Sequence, residues 1–424
     1  MPVFSRQIEK VMKYWKKLSH AEICTRVFDA LGQNINYSSR GALGLPASKL
    51  DEKVFFTEPG ALSHAPFLSS LIKNPNHIGC HTRGESEPFF AGTQEIEKEL
   101  IKLIAEDILL GEADAHDGYV AAGGTEANLQ AIWVYRNLYM KEYGVQPDQM
   151  RLLFSADAHY SMHKASNLMC IPHCVIPVDS ETRATNLAAL KTQLESLKAE
   201  GIHHIIYVAN MMTTMFGSVD DLSAITNILK ETEMTFKVHV DGAYGGFVYP
   251  FISKKFEHTF KNPDVSSITL DAHKMVQAPY GTGIFLCCKN LIEYVETGAA
   301  QYVQGHDYTL SGSRSGANAI AVWMILQTYG PHGWHEKIHL LSYRSNWLAS
   351  HLDDMKIQYF RADNANIITI KAAFVGEEIA AKHGLVPDSH DGNPQWYKVV
   401  VMDHVTVDAM EPLILDLKER QAQN

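Results

Sequence analysis

The spacing of apolar residues changes period from about residue 94 onward. Glu95 to Leu110 carries apolar positions at helical spacing, Tyr119 to Ala122 is a short extended run, and Glu126 to Tyr143 is helical again and ends at Gly144. Apolar runs without alternation follow at Leu152 to Ser155, Cys174 to Val178, Ile205 to Ala209, Phe236 to Val240, Ser267 to Leu270 and Gly283 to Cys288. A run that does not alternate suits a strand covered on both faces, since neither face is left for water. Helical stretches at Leu187 to Glu200 and Leu222 to Glu233 lie between these runs. The β-α-β-α order predicts an α/β fold, with a mostly parallel sheet covered by helices in a large domain over residues 61–310.

Beyond it, Ala317 to Tyr329 reads as a helix, Gly330 breaks the pattern, and a second helix runs from Trp334 to Met355. Strands at Asn366 to Lys371 and Tyr397 to Met402, a loop at Gly384 to Gln395, and a last helix begun by Thr406, Asp408 and Glu411 complete a small C-terminal α/β domain over residues 311–424. In the N-terminal segment, residues 1–60, Phe4, Ile8, Met12 and Trp15 form a helical stripe, with Lys10, Lys13, Lys16 and Lys17 largely on its wet side. That stripe predicts a helix packed on the body or on a partner subunit.

Composition removes several classes of function. Of 424 residues, 46% are hydrophobic and 20% charged, which suits a folded core rather than a disordered chain. Lys and Arg number 37 against 48 for Asp and Glu, and the net charge of -11 repels phosphate backbones and anionic membrane surfaces, so nucleic acid and membrane are not expected partners. No stretch of about 18 apolar residues is present to span a bilayer, and the N-terminus has no signal-peptide core. Cys24, Cys80, Cys170, Cys174, Cys287 and Cys288 form no CxxC pair, as expected of reduced thiols in a cytoplasmic protein. Cys170, His173 and Cys174 are spaced as metal ligands can be, but Ile171, Pro172 and Val175 around them read as a strand entering a core.

In open parallel sheets ligands bind beyond the carboxyl ends of strands, and three turns there carry chemistry. The first, Ala122-Gly123-Gly124-Thr125-Glu126, joins a strand to a helix and offers a hydroxyl and unpaired N–H groups at the positive end of a helix dipole. It suits a phosphate, or is simply a tight turn. The second, Val238 to Gly246, ends a strand on Asp241 beside small residues, so the carboxylate can hold a metal, cap a helix or pair with a cationic heterocycle; with no second acid nearby the metal reading loses. The third, Leu270-Asp271-Ala272-His273-Lys274-Met275, sets a lysine just past a buried strand, where it is either a surface residue or a nucleophile toward carbonyls. One ligand satisfies all three turns. Pyridoxal 5'-phosphate carries a phosphate, a ring nitrogen that an acid can keep protonated, and an aldehyde for a lysine.

The segments GGTEAN, SADAHYS, HVDGAYGG, LDAHKM and LSGSRSG stand in the same order as in the group II pyridoxal-phosphate amino-acid decarboxylases. Over about residues 75 to 330 the chain resembles that family, and within it most nearly the short bacterial histidine decarboxylases and the archaeal tyrosine/aspartate decarboxylases. The resemblance implies the aspartate aminotransferase fold type I, decarboxylation of an L-amino acid to its amine, and a homodimer with shared active sites. It also implies the roles of residues. Lys274 would condense with the cofactor aldehyde, with His273 its neighbour in the motif. Asp241 would hold the ring-nitrogen proton, Ala243 and His159 would cover the two ring faces, and Gly124 and Thr125 would hold the phosphate. Thr213 would lie near Asp241 or the ring hydroxyl, and Ser313 would reach a neighbouring subunit's phosphate. Gly242 departs from the alanine usual in relatives. The proton donor is not matched, with Tyr302 and Tyr308 the candidates. The alternatives are a carbon–carbon lyase of the sphingosine-phosphate lyase type, an aminotransferase using Arg361 as a carboxylate clamp, and a non-catalytic binding protein on the same fold. His77, His81, Arg83 and Glu85 are candidate entrance residues.

Overall fold

Strands covered on both faces, as the unbroken apolar runs predict, are present in the computed structural model, which describes residues 15–34, 64–79, 84–298 and 306–423. Along the chain come α1 (His20–Gln33), α2 (Pro66–Lys73), β1 (Asn76–Ile78), α3 (Ala91–Lys102), β2 (His116–Ala121), α4 (Gly124–Tyr143) and β3 (Met150–Ser155). They are followed by α5 (Ser161–Met169), β4 (His173–Ile176), α6 (Leu187–Ala199), β5 (His204–Asn210), α7 (Leu222–Glu231), β6 (Thr235–Asp241), β7 (Val265–Asp271) and β8 (Gly283–Cys288). The rest is β9 (Ser313–Ser315), α8 (Gly316–Asp354), β10 (Tyr359–Phe360), β11 (Ile367–Lys371), α9 (Ala372–His383), β12 (Val386–Pro387), β13 (Trp396–Val400) and α10 (Val407–Gln423).

A seven-stranded sheet of order β2-β8-β7-β6-β5-β3-β4 forms the centre. Neighbours from β7 through β4 pair in parallel, while β8 runs antiparallel to both β7 and β2. Every residue of β7 is buried, and so are the last four of β6, which is why their sequences do not alternate. Local signals start the covering helices: Asn186 accepts from Ala189 N at 3.0 Å to cap α6, and Asp221 accepts from Ala224 N at 3.0 Å to cap α7.

The structure corrects several expectations. The run at Cys174 is not doubly buried: β4 is the sheet's edge, His173 is exposed and Val175 is 43% exposed, because an edge strand meets water. The helix expected over Glu95 to Leu110 begins at Ala91 and loosens after Lys102 into a π-helical turn, Leu103–Ile108. Helices α5 and α9 are additions to the predicted set, and β12 interrupts the expected loop at Gly384 to Gln395. Of the N-terminal stripe, Phe4, Ile8 and Met12 lie outside the described residues, and Trp15 precedes the first described helix, its indole donating to Leu326 O at 3.0 Å.

The break at Gly330 is real: φ 63° and ψ 177° there, ahead of Pro331, kink α8. Trp334, Ile338 and Leu341 pack into the core of the large sheet, whereas Leu348 and Leu352 join Ile368, Ile370 and Val399 beneath a four-stranded antiparallel sheet, β10-β11-β13-β12.

Candidate active site

Because β8 alone is reversed in its neighbourhood, β2, β3, β5, β6 and β7 share one direction and end at one rim of the sheet. The register lines up their last residues: Asn210 lies opposite Asp241, Asp241 opposite Thr269, and Gly283 opposite both Asp271 and Ala121. The three turns therefore converge. Gly124, Thr125, His159, Ala243 and Lys274 line a cavity of about 520 Å³, and His159, Thr213, Asp241, Ala243 and Lys274 line a tighter crevice beside it.

At one end lies the start of α4, a 20-residue helix whose first N–H groups and dipole suit an anion. Gly124 N donates to Asp271 Oδ2 at 3.2 Å, which ties this turn to the strand that carries Lys274. Packing here is close: a Cβ on Gly283 would sit 2.2 Å from the Gly123 carbonyl carbon, so strand β8 can pass the turn only as glycine. Glu126 folds back to accept from Ala122 N and from Ser311 Oγ, both at 3.1 Å.

At the other end Asp241, 8% exposed, accepts from Ala243 N at 3.1 Å and from Asn128 Nδ2 at 2.9 Å. His159 is half-buried, with Nδ1 2.8 Å from Ser161 Oγ. Burial lowers its proton affinity below the ordinary histidine value, Asp241 opposes this, and Lys274 and Lys164 add to it. Lys274 is half-buried in the turn after β7, its backbone N–H bonded to Asp271 O at 3.1 Å. Burial raises the Asp271 carboxyl above its usual range, held back by His273 and Lys274. His273 Nδ1 is 2.7 Å from Asp271 Oδ1, and its ring lies 4.9 Å from that of Tyr280. Thr213 is buried, its hydroxyl 2.8 Å from Ser218 Oγ.

The structure thus brings together Gly124, Thr125, His159, Thr213, Asp241, Ala243, His273 and Lys274. Other candidates are elsewhere. Ser313 is exposed on β9, paired with β1, and is not among the residues lining its own chain's cavity. Tyr308 packs into the core under α4, its carbonyl accepting from Gln130 Nε2 at 2.7 Å. Arg361 bonds to Ala365 O at 2.7 Å and Asn346 Oδ1 at 2.6 Å and lines a different cavity from Lys274. His77 is not an entrance residue: it is fully buried, 2.7 Å from Glu97 and 2.9 Å from Thr93 Oγ1, while Glu85 is exposed. Tyr302, Cys80, His81 and Arg83 lie outside the described residues. Sequence reasoning missed Asn128 and Asp271. Asn128 stands in the quoted GGTEAN motif, and Asp271 ends its strand on an acid as Asp241 does.

The donor set fits pyridoxal phosphate: a helix start for the phosphate, a buried carboxylate for a ring nitrogen, an amine for the aldehyde, and Ala243 and His159 to flank a flat ring.

Comparison with known proteins agrees. Residues 73–360 match the pyridoxal-dependent decarboxylase conserved domain. The chain is 46% identical over 408 residues to the tryptophan decarboxylase of Clostridium sporogenes, covering 96% of this chain and 98% of that protein. Among solved structures, tryptophan decarboxylase of Catharanthus roseus, in complex with L-tryptophan, superposes with a TM-score of 0.70 at 16% identity, covering 84% of this chain and 80% of that one. The sphingosine-1-phosphate lyase of Burkholderia pseudomallei gives 0.68 at 20% identity, covering 78% and 77%. At such identities the likeness concerns the fold.

Proposed function

The chain belongs to the pyridoxal-dependent decarboxylase family, a pyridoxal-phosphate enzyme of aspartate aminotransferase fold type I that converts an L-amino acid to its amine and carbon dioxide, and we propose that this amino acid is aromatic, tryptophan foremost. The observation that carries the proposal is the 46% identity to a tryptophan decarboxylase over 96% of the chain. Charge supports it. Among the described residues lining the two cavities, Glu126, Asp241 and Asp271 are acidic and Lys274 is the one lysine, a balance that repels an acidic side chain.

The residues take these roles. Lys274 holds the cofactor's aldehyde carbon through its amine, Asp241 keeps the ring nitrogen protonated, and Gly124 and Thr125 hold the phosphate at the start of α4. Thr213 would border the ring beside Asp241, and His273 would adjoin Lys274 at the cavity wall. When bound, pyridoxal phosphate supplies an electron-withdrawing ring that accepts the electron pair left as carbon dioxide departs. His159 has its Nδ1 on Ser161 and keeps a proton on Nε2, so it covers the ring face and offers a donor on the cavity side. Ala243, opposite, leaves room for a flat ring.

The enzyme acts as a homodimer with shared sites: Ser313 is exposed and does not line its own chain's cavity, while Tyr160, which does line it, is 60% exposed. It works in the cytoplasm: Cys24, Cys170, Cys174, Cys287 and Cys288 are free thiols, and no helix among the described residues is long and apolar enough to cross a membrane.

The test is a panel of amino acids scored by amine product and released carbon dioxide. Tryptophan should exceed aspartate, glutamate and histidine in kcat/KM by about 100-fold or more. Preference for an acidic amino acid would overturn the proposal.

A further inference from the structure

Behind Asp241 runs a buried polar chain that the roles above leave unused. Tyr135, Ser267, His239 and Asn128 are each at most 1% exposed, and they connect β6, β7 and α4 beneath the site. Their hydrogen bonds admit one direction. A carboxylate only accepts, so the Asn128 group 2.9 Å from Asp241 Oδ2 is its amide nitrogen, which also donates to Ser161 Oγ at 3.1 Å. The amide oxygen then faces His239 Nε2 at 2.9 Å and obliges that nitrogen to carry the hydrogen. His239 Nδ1 is left to accept from Ser267 Oγ at 2.7 Å, and Ser267 in turn meets the Tyr135 hydroxyl. Burial lowers the proton affinity of His239 to about 4, which keeps the ring neutral, with one donor and one acceptor as this pattern needs. On the other branch, Ser161 donates to His159 Nδ1 at 2.8 Å and fixes that ring's proton on Nε2.

We infer that Asn128 is a positioning residue: oriented by His239, its amide gives one hydrogen to Asp241 and the other to Ser161, and so sets the acid for the ring nitrogen and the histidine over the ring face as a single unit. The inference rests on the roles proposed above for Asp241 and His159. It makes the orientation of one amide the quantity that matters. Turned over, the side chain would aim its oxygen at the Asp241 carboxylate and compete for the Ser161 hydroxyl hydrogen, leaving His159 Nδ1 only the longer bond from Ser161 N at 3.3 Å.

The experiment measures pyridoxal-phosphate affinity and the visible spectrum on the full chain. Asn128→Leu should weaken cofactor binding about tenfold or more, as loss of a supporting hydrogen-bond partner does around other bound groups. In an Asp241→Asn background the same change should add less than about threefold, because both act on one interaction. His239→Leu should resemble Asn128→Leu and shift the visible band, whereas His239→Gln, whose Nε2 can still donate to the Asn128 oxygen, should stay within about threefold of the parent. Equal affinities for His239→Leu and His239→Gln, or additive effects of Asn128→Leu and Asp241→Asn, would overturn the inference. Unchanged affinity in Asp241→Asn alone would instead locate the failure in the role of Asp241, and the inference would fall with it. Thermal midpoints of the cofactor-free variants report folding. Should the leucine variants not fold, neutron diffraction on the parent enzyme decides: deuterium on Asn128 Nδ2 facing Asp241 and Ser161 supports the inference, and an amide oxygen facing Asp241 ends it.

Discussion

Lys274 and Asp241 occupy the same crevice yet answer differently to substitution. Removing the amine in Lys274→Ala should abolish the absorbance near roughly 400 nm that an amine-bound cofactor gives and lower kcat about a thousandfold or more, while the phosphate site proposed at α4 should still retain some cofactor. Spectrophotometry and turnover on the same preparation check both. Titration makes a second prediction. His239 and His258 are fully buried and held down to about 4, while an unfolded chain protonates histidine near 6.5. The unfolded state therefore binds the extra protons as pH falls from about 6.5 toward 4, and stability drops by up to about 1.4 kcal/mol per pH unit for each ring. Urea midpoints from pH 7 to 5 should fall accordingly, and His258→Phe should flatten the slope. A midpoint independent of pH over that range would show that neither ring is neutral in the native state. At this scale Asp241 and Lys274 were legible as candidates because one ends a strand and the other lies just past one, and the resemblance of the motifs around them supplied their roles. Asn128 was not, since a polar residue inside a helix looks alike whether it faces water or a buried carboxylate.

Where elements meet, the tolerance is set by backbone rather than side chains. Strand β8 begins against the turn into α4, and Gly283→Ala pushes a methyl into the Gly123 carbonyl, which cannot rotate away. The expected cost is about 1–3 kcal/mol, with weaker cofactor binding because the displaced turn is the one proposed to hold the phosphate; thermal shift and a cofactor titration check the two together. The ribbon β1–β9 is anchored differently. Arg314 reaches Glu97 at 2.5 Å, Val120 O at 2.9 Å and Gly79 O at 2.7 Å, and Glu97 also holds His77. Arg314→Met strands a fully buried carboxylate beside His77 and should cost about 3–5 kcal/mol in a denaturant melt. Strand positions were readable from apolar runs, and the break at Gly330 from the change of pattern there. The edge position of β4 was not, because an apolar run says that a strand is present and leaves its neighbours undetermined.

For the whole molecule, a shared site makes a prediction that a self-contained one does not. If Ser313 serves the partner's phosphate, Lys274→Ala and Ser313→Glu chains are each inactive alone. Mixed after unfolding and refolding, they form heterodimers in which one site draws Lys274 from one chain and Ser313 from the other, both intact. Random pairing then restores about a quarter of the parent activity, as two-fold symmetry requires. No recovery, with heterodimers present by mass spectrometry, would make each site complete within its own chain.

The sequence by itself determined the α/β class, the strands and most helices, the cofactor, and the residues that the structure gathers around one cavity, because each of these depends on neighbours a few positions away: a period, a turn, a motif. Tertiary structure decided which strand lies at the edge, that β8 is reversed so that the other six strands of the sheet end at one rim, and that His77 and Arg361 are engaged elsewhere. It also decided that Asn128, 113 positions before Asp241, supports that carboxylate. Such contacts join residues far apart in the chain, and only closing the loops between them chooses the partners.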